Sequence, residues 1–178
     1  SANSPRMLKA KEFILAKGGL ANTRVFTKIW LALFEQWPWE GIPLMPPEMI
    51  FLPTWFFINI YSFASWARAT IVPLSLVLVT KPKCIIADNM GISELNLNEQ
   101  SQTAFPKPKN LFSIRGIFYL GDKILRIYEK LPWKPGRKKA IQKALNWIIE
   151  HQEADGSWGG IQPPWVYSLI ALKMMGYK

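Results

Sequence analysis

A chain of 178 residues, 49% of them apolar, is long enough to bury a sizeable core, either as one domain or as a piece of a larger one. Its formal charge of +10 and pI near 9.8 favour anionic partners, nucleic acid or acidic lipid. The single cysteine, Cys84, excludes an internal disulfide and a cysteine-based metal cluster.

The opening Ser1-Ala2-Asn3-Ser4-Pro5 has neither the charged nor the apolar region of a signal peptide, and the chain reads as an excised fragment. Ser4-Pro5 followed by Met7 to Lys17 predicts a capped helix ended by Gly18-Gly19. A second helix is expected from about Asn22 to Gln36, with Val25, Phe26, Ile29, Trp30, Leu33 and Phe34 as one apolar stripe flanked by Arg24 and Lys28. Residues 41–67 hold four prolines and Glu48 as the one charge, which argues for bends packed inside protein rather than a spanning helix. Helical pattern returns from about Asn59 and continues from Ala69 to Val79, where Pro73 is expected to force a kink or a new start. This run is far shorter than the ~20 apolar residues that cross a bilayer.

Residues 88–110 are polar and weakly patterned and read as an irregular loop. Leu111 to Leu131 is then an amphipathic helix, apolar at Phe112, Ile117, Phe118, Leu120, Ile124, Leu125, Ile127 and Tyr128, basic at Arg115, Lys123, Arg126 and Lys130. Such a helix either buries its apolar face in a core or lies in a membrane interface with its cations at anionic headgroups. Residue chemistry alone favours the core. The linker from Pro132 to Lys139 adds a dense positive patch beside that helix and reads as a solvated helix start, and as a nucleic-acid signal it is weak because no reading motif accompanies it.

Aromatics at 13%, nine of them Trp, exceed what packing alone requires and point to a lined cavity, a membrane-facing surface or a repeat with a Trp signature. The most specific stretch is the last, Gln152 to Trp165. Ile141, Ala144, Leu145, Ile148 and Ile149 share one face of a helix from Arg137 to Gln152, and Gly156 suits the left-handed turn after it. Pro163 and Pro164 fit the first positions of a following helix, Trp165 to Met175. The Gln152 amide is expected to pair with free backbone groups at a helix end while stacking on Trp158. The lone His151 has no second ligand or carboxylate spaced for catalysis or metal binding and reads as structural.

Taken with residues 23–33, Pro46-Pro47-Glu48 and Ser65-Trp66-Ala67-Arg68-Ala69-Thr70, this closing motif resembles bacterial squalene-hopene cyclases, which are class II triterpene (terpene) cyclases. The resemblance implies an all-α fold, residues 1–178 being part of an α/α barrel, the smaller inserted domain of a two-barrel enzyme. It implies that Gln152, Gly156 and Trp158 belong to a Q-x-x-x-G-x-W repeat that ties neighbouring helices. The family's chemistry, proton-initiated carbocation cyclisation of squalene to hopene or hopanol, needs a dry cavity faced by aromatic rings.

By motif position, Phe26, Trp66, Ile161 and Pro163 resemble cavity-wall residues. Arg24, Trp30, Gln162 and Tyr167 resemble a polar network that positions water near the final cation, and Phe63 and Ile71 resemble the channel through which substrate enters. Without the resemblance these would read as core aromatics and aliphatics, a surface charge and a cap. The family's acid, the middle Asp of D-x-D-D, does not occur among these residues, so no catalytic residue is expected here and the isolated chain is expected to be inactive. No cofactor and no metal are implied. The implied partners are squalene, a membrane lipid surface contacted by residues 111–131 at the cytoplasmic face of a bacterium, and a second copy of the parent enzyme in a homodimer, with no nucleic acid. The alternative is a non-catalytic helical-repeat module that binds anionic membranes or protein partners.

Overall fold

The computed structural model describes residues 4–56, 58–87, 90–97 and 107–177. Among these residues there are six α-helices, joined by turns and short 3-10 segments, and no strand. They are α1 (Pro5–Ala16), α2 (Val25–Leu33), α3 (Ser65–Thr80), α4 (Ile114–Lys130), α5 (Arg137–Glu150) and α6 (Gln162–Met174). The chain divides into two compact units, Ser1–Pro43 with Lys83–Lys123, and Leu44–Pro82 with Ile124–Lys178.

In the first unit, Ser4 caps α1 by accepting the Met7 N–H at 3.4 Å, with Pro5 in the first turn where its missing N–H costs nothing. Gly18 and Gly19 then carry φ of +96° and +62°, and their N–H groups close on the carbonyls of Leu15 and Ile14. The second helix is shorter than its stripe suggests. Leu20–Asn22 forms a separate 3-10 turn, Arg24 stands at the N-cap in extended geometry, and α2 ends at Leu33. Ile29, Ala32 and Leu33 go into a core with Leu20, Trp37, Trp39 and Ile42, whereas Val25, Phe26 and Phe34 stay exposed. The later strand of chain is tied to this core by polar contacts. The Cys84 N–H donates to the Leu33 carbonyl at 2.7 Å, the Ile92 N–H to Gln36 Oε1 at 2.8 Å, and Lys83 pairs with Glu35 at 2.7 Å.

The expected loop at 88–110 falls partly outside the described residues, at 88–89 and 98–106; its described parts contain the 3-10 turn Ser93–Leu95 and no α-helix.

In the second unit, the proline-rich stretch forms the 3-10 segment Pro47–Phe51, a bend its composition suggests, whereas the helical pattern expected from about Asn59 gives only the 3-10 turn Ile60–Ser62 before α3 begins at Ser65. Helix α3 runs without interruption through Pro73, so the expected new start is absent. Every residue from Val72 to Leu78 is buried, and a helix covered on all sides is held by packing where a backbone hydrogen bond is missing. Its main partner is α6, whose Ser168 and Ala171 are small enough to let the helices approach, and α5 packs against both α3 and the Pro47–Phe51 segment. Helix α6 begins at Gln162, with Pro163 and Pro164 in its first turn as their chemistry predicts, so the helix starts three residues before Trp165.

Candidate functional site

The corner between α5 and α6 is built from the Gln152 to Trp158 stretch. Trp158 is 1% exposed, and its indole Nε1–H donates to the Ile148 carbonyl at 2.7 Å, filling an acceptor that the end of α5 leaves open. Gly156 takes φ of +83°, the left-handed turn its position called for. The Gln152 amide donates to the Gly156 carbonyl at 3.1 Å, inside the turn. This corrects the expectation that Gln152 reaches a helix end: Trp158 makes that bond, and Gln152 braces the loop that delivers it. Glu153 completes the brace by accepting from the Gly159 N–H at 3.0 Å and the Ser157 hydroxyl at 3.1 Å. His151 stacks on Trp147 with ring centroids 3.9 Å apart, and its Nδ1 lies 2.8 Å from the Trp147 carbonyl, a structural placement. Ile149, Trp158, Leu169, Leu172 and Tyr177 line an apolar groove of about 910 Å³ beside this corner.

A second cluster has no counterpart in the motif reading. Arg137, the first residue of α5, donates through Nε to Glu48 Oε1 at 2.6 Å and through its terminal nitrogens to Glu129. Tyr128 donates its hydroxyl to the same Glu48 oxygen at 2.7 Å. The Arg137 side chain is 12% exposed, which corrects its reading as part of a solvated helix start. Burial works to raise the Glu48 carboxyl, but the hydrogen bonds from Arg137 and Tyr128 outweigh it and hold its pKa below the ordinary glutamate value. Burial likewise opposes the Arg137 charge, and Glu129 and Glu48 overcome it, pushing the pKa up. The sequence carried one signal for this cluster: a lone carboxylate in the otherwise uncharged 41–67 stretch needs a partner when it folds inward.

Helix α4 presents an unusual face. Ser113 caps it by accepting the Gly116 N–H at 3.1 Å, and a Cβ at Gly116 would run into the Leu111 carbonyl, so glycine is required there. Its buried residues are Gly116 and Asp122, while Phe112, Ile114, Ile117, Phe118, Ile124 and Ile127 are exposed. The apolar side therefore looks outward, against the expectation from residue chemistry alone. No described helix is long and apolar enough to cross a membrane.

Residues 1–178 match in full the family model described as the squalene-hopene cyclase N-terminal domain. The chain belongs to the squalene-hopene cyclase family. It is 44% identical over 177 residues to a squalene-hopene cyclase of Alicyclobacillus acidocaldarius, covering 98% of this chain and 27% of that protein. It is 35% identical over 174 residues to a dammaradiene synthase of Dryopteris crassirhizoma, covering 98% and 25%, and 37% identical over 183 residues to the enfumafungin synthase of Hormonema carpetanum, covering 97% and 14%. The chain thus spans about a quarter or less of the length of these curated relatives.

Within this member of the squalene-hopene cyclase family, the residues singled out by motif fall into two sets, one per unit. Arg24, Phe26 and Trp30 ride on α2 or its cap: Arg24 and Phe26 are exposed, and Trp30 lines an apolar groove of about 350 Å³ with Thr27, Leu31, Phe34, Ile86 and Met90. In the second unit, Phe63 ends the Ile60–Ser62 turn, and Trp66 and Ile71 lie on α3; Trp66 is 58% exposed, Phe63 and Ile71 half-buried. Ile161 caps α6, with Gln162 and Pro163 its first residues, so this triplet sits on the helix that packs most extensively against α3. Tyr167 lies deeper on α6, and burial pushes its phenol up to about 12. Sequence pattern gave Asn59 no role beyond the return of helical periodicity, yet it is 2% exposed and caps the Ile60–Ser62 turn before Phe63.

Proposed function

We propose that the enzyme carrying this chain cyclises squalene to a hopene or hopanol skeleton by proton-initiated carbocation chemistry on a membrane surface. The chain supplies one cavity wall, the channel through which squalene enters and much of the membrane patch, within the smaller inserted barrel domain. The observation that carries this reading is the match of the whole chain to the squalene-hopene cyclase family. One of the relatives is named a squalene-hopene cyclase, and the other two are named as synthases of dammaradiene and enfumafungin.

Trp66 and Phe26 are exposed aromatic faces on helices that hold their backbones rigid, and a π-face stabilises a nearby cation without acting as a nucleophile toward it. Ile161 and Pro163 shape the pocket around the later rings. Arg24, Trp30, Gln162 and Tyr167 orient water near the final cation, and Phe63 and Ile71 narrow the path of entry. The Q-x-x-x-G-x-W corner keeps Ile161 to Pro163 from drifting during the reaction. The protonating Asp comes from a part of the enzyme outside residues 1–178. The parent acts as a bacterial, cytoplasmic-face membrane enzyme and forms a homodimer.

The test is the product spectrum of the full-length protein on squalene. Trp66→Ala and Gln162→Ala are expected to shift products toward incompletely cyclised or differently quenched skeletons, and an unchanged spectrum overturns the site assignment. The isolated chain is expected to turn over no squalene; any turnover overturns the assignment of the acid to another part of the enzyme.

The exposed apolar face of α4 also favours a narrower reading, a helical module that binds anionic membranes without catalysis. Vesicle binding that survives salt and is lost in Phe118→Asp marks insertion of α4, whereas binding that vanishes with salt marks a purely electrostatic surface.

A further inference from the structure

Asn59 is 2% exposed in the segment that leads from the Pro47–Phe51 turn to α3. Its Nδ2 donates to the carbonyls of Thr54 at 3.0 Å and Phe56 at 2.6 Å and to Ser62 Oγ at 2.6 Å. Its Oδ1 accepts the N–H groups of Tyr61 at 2.8 Å and Ser62 at 3.0 Å. An amide offers two hydrogens and two lone pairs. Here three acceptors share the hydrogens and both lone pairs are taken, so the group is saturated.

These partners lie on both sides of Asn59 in the chain. Upstream, residues 52–56 have no helix or strand whose ladder would fix them. Downstream, Asn59 is the N-cap of the Ile60–Ser62 turn and Phe63 is its C-cap. One buried side chain therefore does for this loop what a backbone ladder does for a strand. The backbone adds only single turns, Phe56 N–H to the Pro53 carbonyl at 2.9 Å, Asn59 N–H to the Phe56 carbonyl at 3.1 Å, Ser62 N–H to the Asn59 carbonyl at 3.1 Å and Phe63 N–H to the Ile60 carbonyl at 3.4 Å, each too short to hold itself.

We infer that Asn59 is a positioning residue for substrate entry: through this saturated amide it fixes the turn that ends in Phe63, and so sets how readily an apolar polyene passes. The inference rests on the reading of Phe63 as a channel wall. Asn59 does not touch the substrate. With the amide removed the turn samples several backbone states, Phe63 loses its single place, and capture of squalene falls while the later ring closures proceed as before.

The experiment uses the full-length protein with squalene in detergent micelles, measured below the unfolding midpoint of every variant. Asn59→Ala removes all of the side-chain bonds; Asn59→Ser keeps a capping oxygen for the Tyr61 and Ser62 N–H groups but not the reach to Thr54; Ser62→Ala removes a single partner. The expected result is a fall of about tenfold in kcat/KM for Asn59→Ala with kcat changed less than about threefold, partial recovery in Asn59→Ser, and a smaller fall in Ser62→Ala. Hydrogen exchange of residues 58–64 is expected to speed up in the same order. Where Asn59→Ala does not fold, Asn59→Ser and Ser62→Ala carry the test. A loss of kcat at unchanged KM, or kinetics like wild type despite faster exchange, overturns the inference. Phe63→Ala separates the two claims: if it leaves kcat/KM unchanged the channel reading fails, and if it lowers kcat/KM while the Asn59 variants do not, only the role of Asn59 fails.

Discussion

Helices α4 and α5 are both amphipathic and both basic on their polar side, yet their apolar faces are treated in opposite ways. In α5, Ala140, Ala144, Leu145 and Ile148 are each at most 5% exposed, with Ile141 half-buried and Ile149 open at the helix end; in α4, Ile114, Ile117, Phe118, Ile124 and Ile127 are each more than half exposed. The α5 face meets α3 and the Pro47–Phe51 segment, and the Trp158 indole closes its end by bonding the Ile148 carbonyl. Helix α4 instead turns Asp122 inward and leaves its aromatic and aliphatic residues uncovered. Periodicity says which residues share a face; what covers that face depends on neighbours that are distant in sequence. Large exposed apolar patches are where proteins meet partners or membranes.

If α5 and α6 form the rigid region and α4 the presenting one, truncation should hurt stability in the first and binding in the second. The largest effect is expected for Trp158→Ala, which removes a fully buried indole and its bond to α5. It should lower the opening free energy of α5 and α6 by about 3–5 kcal/mol, read by hydrogen exchange of the full-length protein. Equal protection in wild type and variant would remove Trp158 as the tie between the helices.

Arg137→Ala should come next, at about 2–4 kcal/mol, because it leaves Glu48 and Glu129 partly buried without their cation. This cluster also sets an acid limit. The Glu48 pKa is depressed in the folded state, so its contribution is complete above the ordinary glutamate value of 4.5 and is lost as pH falls below that value through the folded one. Glu48→Gln should flatten the acid side of the stability profile, and an unchanged acid limb would show that the cluster is not its source.

Tyr167 sets a smaller, alkaline limit. Its phenol is raised from 10.0 to about 12, so stability is intact below pH 10 and declines as the pH rises toward 12, where the unfolded chain ionises first. Tyr167→Phe should remove that decline, measured as the unfolding midpoint across this range. The smallest effect on stability, within about 0.5 kcal/mol, is expected for Phe118→Asp on α4, since an exposed side chain has no packing to lose. The same change should abolish salt-resistant sedimentation with phospholipid vesicles. A large loss of stability from it would mean that α4 is covered in the intact protein.

Much of the helical skeleton could be read from residue pattern. Ser4-Pro5 and Gly18-Gly19 bracket α1 as their capping chemistry requires, Gly156 turns the chain after α5, and Pro163-Pro164 open α6. Where the reading missed, long-range packing was responsible. Pro73 did not break α3, because the stretch from Val72 to Leu78 is enclosed on all sides and the packing holds it together. Arg137 looked like one cation in a solvated run, since its partners, Glu48 and Glu129, lie 89 and 8 residues away. Asn59 read as the return of a helical pattern, because saturation of its amide is visible only when Thr54, Phe56 and Ser62 fold around it.

The sequence by itself determined that this protein is helical, where its helices are capped, which residues share a face and which family it joins. These follow from local chemistry: the 3.6-residue period, hydroxyl and proline preferences at helix starts, glycine at left-handed turns and a long specific motif. Only the tertiary structure decided that the face of α5 is covered and that of α4 is open, that Trp158 rather than Gln152 reaches the helix end, and that Glu48, Tyr128 and Arg137 form one half-buried cluster. Those outcomes depend on side chains far apart in the chain competing for the same space, and no local pattern encodes the result of that competition.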